Sequence, residues 1–253
     1  MRSLALAQAG DADAVAAAIA AGADALVLDL LGLPQGPGLD AARLAARDVL
    51  GTLRTAPPED RRPLRRFVRI HSLTSRLADG DLDIVMAGQP DGIVLPAADP
   101  DCIGRLALRI AVREAQLGLP ACSTRIIALM AQEPASMLRL CESPRSGRGA
   151  PAAAAPSGPT ARLAGFGFSP GQLQPTIGLA NRGHGGASDV LARGLVVAAA
   201  AAAGIAAVID APPAGPAGRD IDAWARRALR DGFTAGFAAR TEEIPVLNRV
   251  FSH

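Results

Sequence analysis

Residues 91–96 read Asp-Gly-Ile-Val-Leu-Pro, a four-residue apolar run with an Asp-Gly pair before it and a proline after it. Both flanks punctuate regular structure, so the run 92–95 (GIVL) reads as a strand bounded at each end. It has no polar alternation, which is the pattern of a strand buried on both faces in a parallel sheet. The same signature recurs at 25–30 (ALVLDL), 67–70 (FVRI), 126–130 (IIALM) and 206–210 (AAVID). Weaker runs at 3–7, 162–168 and 234–239 complete the set.

Helix signals lie between these runs. Asp11 is placed to cap a helix reaching residue 21, and Pro134 suits the first turn of a short one. The spacing of apolar residues predicts further helices over 39–53, 75–86, 103–117, 187–203, 221–230 and 244–251. The 253 residues match the roughly 250 that one such α/β barrel needs. The expected fold is therefore an α/β, (β/α)8 TIM barrel forming a single domain over residues 1–253. Residues 142–160 are too rich in Pro, Gly and Ala to pack. They read as a flexible loop within that domain, either an inserted surface loop or an active-site lid.

Composition excludes several chemistries. All 26 basic residues are Arg, so a Schiff-base aldolase and a P-loop are both ruled out for want of a lysine. There is no Tyr to act as a phenolic acid or base. A net charge of +2 argues against nucleic-acid binding, and the basic cluster at 61–66 has no aromatic residue interleaved to stack bases. Cys102, Cys122 and Cys141 form no CxxC pair, which fits a reduced, cytoplasmic setting. Asp11 and Asp13 follow the first apolar stretch too soon for a signal peptide. The apolar run 195–208 is broken by Gly204 and falls short of the about 18 residues that suggest a membrane span.

Six segments in register along nearly the whole chain carry a resemblance: GADALVLDL (22–30), VRI (68–70), PDGIVLP (90–96), IIAL (126–129), GFGF (165–168) and GFTAGFAARTEEIPVLNRVFS (232–252). The chain resembles the HpcH/HpaI aldolase and citrate lyase beta subunit family. That resemblance implies an oligomeric barrel that binds Mg2+ and makes or breaks a carbon–carbon bond in a CoA thioester or 2-oxo acid. The expected partners are thus a small anionic substrate or CoA thioester and further copies of the chain. Such a reaction builds enolate charge, which a metal held by carboxylates polarises while an Arg anchors the substrate carboxylate.

The family pattern puts a Glu after the fifth strand and an Asp after the sixth. Here Ala131-Gln132 stand at the first position, with Glu133 two residues late, and Phe168-Ser169-Pro170-Gly171 at the second offer no carboxylate. Ala97 replaces a family Lys, and Gly236 and Arg240 stand where a Lys and a His are common.

The candidates left at the barrel mouth are therefore Asp29 and Glu133 as metal ligands, with a local bulge needed to bring Glu133 into place. Arg69 and Arg240 are candidates for substrate binding, Arg69 having a structural ion pair with Asp29 as its alternative role. His71 is a candidate general base, and Asp210 is either catalytic or a cap before Pro212. His184 lies in a glycine-rich stretch (181–186) that suits an anion or a plain loop. Two function classes follow: a carbon–carbon lyase or aldolase with altered or reduced activity, and a catalytically silent barrel that binds an anion or serves as a partner subunit.

Overall fold

The apolar runs form a closed barrel of eight parallel strands in sequence order. In this computed structural model, residues 1–55, 64–142, 159–176, 186–210 and 220–252 are described. The strands are β1 (Ser3–Gln8), β2 (Ala25–Asp29), β3 (Arg65–Arg69), β4 (Gly92–Leu95), β5 (Arg125–Met130), β6 (Leu163–Phe168), β7 (Ala206–Ile209) and β8 (Ala235–Ala238). Each pairs with its sequence neighbour, and β1 pairs with β8 from Ser3 opposite Gly236 to Ala5 opposite Ala238, which closes the ring. The helices between them are α1 (Ala12–Ala20), α2 (Pro37–Thr55), α3 (Ala78–Val85), α4 (Pro100–Gln116), α5 (Pro134–Leu138), α6 (Pro170–Thr176), α7 (Ala187–Ala203), α8 (Ile221–Arg230) and α9 (Ile244–Val250).

Strand alternation splits the core in two. Leu4, Val27, Phe67, Val94, Ile127, Leu129, Val208 and Phe237 fill the barrel interior, while Leu28, Val68, Ile70, Ile93, Ala128 and Met130 face the helices. Gly92 is needed where it stands. A Cβ there would lie 2.7 Å from Phe67 Cδ1 and 2.9 Å from the Arg125 carbonyl, so a side chain would displace the ring that fills the interior.

Capping follows the sequence. The carboxylates of Asp11, Asp99 and Asp220 accept the N–H groups of Ala14, Cys102 and Ala223 at the starts of α1, α4 and α8. Two helices begin earlier than their apolar spacing suggests. Pro37 and Pro100 open α2 and α4, because proline's fixed φ suits a first turn. The end of the helix expected over 75–86 tightens into a 3-10 turn at Met86–Gly88.

On the face where strands begin, Arg162 and Glu114 form a bidentate pair, 2.7 and 2.6 Å, with both side chains nearly inaccessible. Glu114 also accepts the N–H groups of Thr124 and Cys122. Arg66, from the basic cluster, is bound to Asp91 instead of lying loose in solvent. The rest of that cluster at 61–63, most of the 142–160 loop and His184 lie outside the described residues. Among the described residues no helix is long and apolar enough to cross a membrane.

Candidate active site

In a parallel barrel the C-terminal strand ends and the loops after them carry chemistry. Which side chains reach the lip follows from counting two residues beyond each inward core residue. Val27 leads to Asp29, Phe67 to Arg69, Gly167 to Ser169 and Val208 to Asp210. Asp29 and Arg69 are directly opposite each other in the β2–β3 ladder. Such cross-strand neighbours meet side chain to side chain.

They meet as a fork. Arg69 Nε donates to Asp29 Oδ1 at 2.9 Å and Nη2 to Oδ2 at 2.5 Å, the planar bidentate geometry that guanidinium favours with a carboxylate. Asp29 Oδ1 also accepts the Leu31 N–H at 3.0 Å. Across the mouth, Arg69 Nη1 lies 4.0 Å from Asp210 Oδ2, and the Ser169 hydroxyl donates to that same oxygen at 2.9 Å. Burial opposes the Arg69 charge, but the hydrogen bonds it donates to Asp29 and the attraction of Asp29 and Asp210 outweigh it and raise its pKa. The result is a chain Asp29–Arg69–Asp210–Ser169 spanning β2, β3, β6 and β7. Three of the residues picked from the sequence are brought together here, and the ion pair is the role that Arg69 and Asp29 share.

The other candidates stand apart. His71 Nδ1 and its backbone N–H both lie 2.8 Å from Asp81 Oδ2 on α3, and Asp81 is wholly buried. Arg43 on α2 holds the other Asp81 oxygen from Nε at 2.9 Å and Nη2 at 2.7 Å, and it reaches Asp40 with Nη1 at 2.8 Å. Arg240 is half exposed and lies 3.3 Å from the carboxylates of both Glu242 and Glu243.

Glu133 is exposed at the N-cap of α5, where the Ser136 hydroxyl donates to its carbonyl at 2.9 Å. The bulge that would carry Glu133 to the lip is absent there. The register irregularity of β5 falls between Ile126 and Ile127, at the opposite end of the strand. Instead Ala131 adopts φ 56, a left-handed value, and its methyl is buried against the outer core. Gln132 then bonds the Ala97 N–H, with Ala97 itself at φ 46. Two non-glycine residues in this region, each following a strand, concentrate backbone strain at the mouth.

Between the ends of β3, β4 and β5 opens a small cleft lined by Ser72, Thr74, Asp99, Cys102, Glu133 and Arg139, among others. Burial pushes the Cys102 thiol up, so this cysteine is a poor nucleophile at neutral pH.

Ser169, Asp81 and Gln132 were not singled out by sequence reasoning. Asp81 had a signal: with Ala78, Leu82 and Val85 it lies on the i, i+3, i+4, i+7 stripe that a helix buries. For Ser169 the signal was strand parity at the end of GFGF.

A profile of the HpcH/HpaI aldolase/citrate lyase family matches residues 2–235. The chain belongs to this family. No curated protein matches it by sequence. Among solved structures, the citrate lyase beta subunit of Mycobacterium tuberculosis, complexed with oxaloacetate and magnesium, is 20% identical. It aligns over 100% of this chain and 97% of its own with a TM-score of 0.66. RipC from Yersinia pestis is 21% identical over 99% of this chain and 94% of its own, with a TM-score of 0.66. The Haloferax volcanii malate synthase magnesium/glyoxylate complex is 15% identical over 98% and 74%, with a TM-score of 0.76. At these identities the likeness is one of fold.

The donor set of this family member does not fit the Mg2+ found with that citrate lyase beta subunit and that malate synthase. Among the described residues, no three of His, Cys, Asp and Glu converge to hold a metal ion. Asp29 is engaged by Arg69 and Leu31, Glu133 faces a different cleft, and β5 offers a buried methyl at its lip. A hard cation needs several open oxygen donors in one place.

Proposed function

We propose that this member of the HpcH/HpaI family binds a small 2-oxo acid or an acyl-CoA thioester at the barrel mouth and acts on it in carbon–carbon bond chemistry, with an activity altered from the Mg2+-dependent form. Family membership supports the lyase or aldolase type of function. The observation that carries the reading is the uncommitted edge of Arg69. Nε and Nη2 are spent on Asp29, whereas Nη1 is 4.0 Å from Asp210, beyond hydrogen-bond reach, so its hydrogens remain for a substrate carboxylate or enolate oxygen. Asp29 holds the guanidinium plane, so little ordering entropy is lost when an anion docks.

The test is calorimetry with oxaloacetate and acetyl-CoA, each with and without Mg2+ or Mn2+, beside an assay for cleavage or condensation. Binding that is indifferent to metal and weakened at least tenfold by Arg69→Met supports the reading. Stoichiometric metal binding abolished by Asp29→Ala or Glu133→Ala refutes the altered-metal part of it. A second reading, a silent barrel serving as an anion-binding or partner subunit, is favoured by the absence of a carboxylate at the lips of β5 and β6. Binding without turnover selects it.

A further inference from the structure

The functional reading leaves one assembly unused, the buried chain Arg43–Asp81–His71. A fully buried carboxylate is expensive unless paired and hydrogen-bonded, and Asp81 is both. Its oxygens are divided: Oδ1 takes Arg43, and Oδ2 takes the His71 backbone N–H and Nδ1. Because Asp81 Oδ2 faces Nδ1, the neutral ring carries its proton there, and Nε2 is left with a lone pair. The two ring nitrogens point nearly opposite ways. With Nδ1 held by Asp81 on α3, Nε2 lies on the side of the ring away from that carboxylate. The side chain is 13% exposed although its partner is wholly buried, so solvent reaches the ring from the side away from Asp81.

We infer that His71 is the proton-transfer group of the mouth and that Asp81, backed by Arg43, is its positioning residue. The inference rests on the functional reading above and extends it to a metal-independent step. His71 follows Arg69 by two residues, just past the end of β3, so at most roughly 7 Å of chain separates their Cα atoms, a span that a three- or four-carbon acid can bridge. Nε2 takes a proton from the carbon beside the ketone of a 2-oxo acid. The C–H electron pair becomes the C=C bond and the carbonyl π pair moves to oxygen, which accepts a hydrogen bond from Arg69 Nη1. Return of the proton from the imidazolium reverses the step, so no other reactant is consumed. The charged group on the ring is Asp81 on α3, which links it to Arg43 and through Arg43 to Asp40 on α2, while Arg69 on β3 lies two residues earlier in the chain.

Two readouts test this on the whole chain. Long-range 1H–15N NMR, with the His71 signal assigned through His71→Gln, is expected to show Nδ1 protonated and Nε2 bare at pH 8. In Asp81→Asn the carboxylate that holds the proton on Nδ1 is lost, so the preference for that tautomer weakens and part of the ring population carries its proton on Nε2. Exchange of pyruvate methyl protons in D2O is expected to fall about a hundredfold or more in both variants and to be unchanged in Asp83→Asn, an exposed acid on the same helix. A wild-type ring protonated on Nε2, or exchange that survives His71→Gln, overturns the assignment. Pyruvate that binds by calorimetry but does not exchange overturns the role of His71 alone. Pyruvate that neither binds nor exchanges overturns the functional reading, and this inference with it.

Discussion

Replacing Arg69 with methionine separates what the ion pair does for the fold from what it does for a ligand. The substitution keeps the length of the stem and removes the cation paired with Asp29, whose side chain is 9% exposed. Losing one partner of a fully buried pair costs about 3–5 kcal/mol. Here Asp29 keeps the Leu31 N–H and some contact with water, so the cost should be roughly 2–4 kcal/mol. In a chain of this size that lowers Tm by roughly 5–15 °C.

The double variant Asp29→Leu/Arg69→Met removes the uncompensated charge, and its stability should return to within about 1 kcal/mol of the starting protein. The coupling energy in a double-mutant cycle, read from urea melts, should then be about 2 kcal/mol. Oxaloacetate binding should remain lost in the double variant even though its fold is restored. An Arg69→Met variant as stable as the parent, or a double variant that is weaker than both singles, would refute the description of this pair as a buried, mutually dependent unit.

Two further outcomes follow from the same geometry. The Arg2 fork holds the Asp24 carboxyl below the usual carboxylate range, and at Glu114 the Arg162 fork outweighs burial in the same direction. Their stabilisation is complete above an unfolded carboxylate pKa of about 4 and is lost as pH falls through the lower folded values, so Tm should drop below about pH 4 and do so less steeply in Asp24→Asn. Ala131→Glu, which would restore the family's acid by sequence position, should lower Tm by more than about 5 °C and create no Mg2+ affinity in calorimetry, because that side chain points into the outer core.

Much of the barrel was legible because burial on both faces leaves an unbroken apolar run with few competing interpretations. GIVL at β4, the helix from Pro134 and the helices Ala187–Ala203 and Ile221–Arg230 lie where composition and capping put them. The candidate site was harder. Arg69, Asp29 and Asp210 could be picked because strand ends are where charges stand out against apolar runs. That Arg69 is forked to Asp29, and that Glu133 turns into a separate cleft, depends on register and on the left-handed backbone at Ala131, and neither has a local signature when the residue is not glycine. Ser169 became visible only once parity on β6 was known. Asp81 sat among Asp79 and Asp83, and its role depends on an arginine 38 residues earlier in the chain.

The pairing of Ser3 with Gly236 bears on how the chain is made. At a synthesis rate of roughly 5–20 residues per second, the first strand waits roughly 10–50 s for its last neighbour. During that interval β1 presents an open row of amides and carbonyls, a template for another nascent chain. Asn248 on α9, which bonds Ser3 and the Gly22 carbonyl, latches the seam only after β8 has emerged. Ribosome-bound intermediates should therefore be the species most prone to aggregate, and a holdase chaperone acting early should raise yield more than one acting on the released chain.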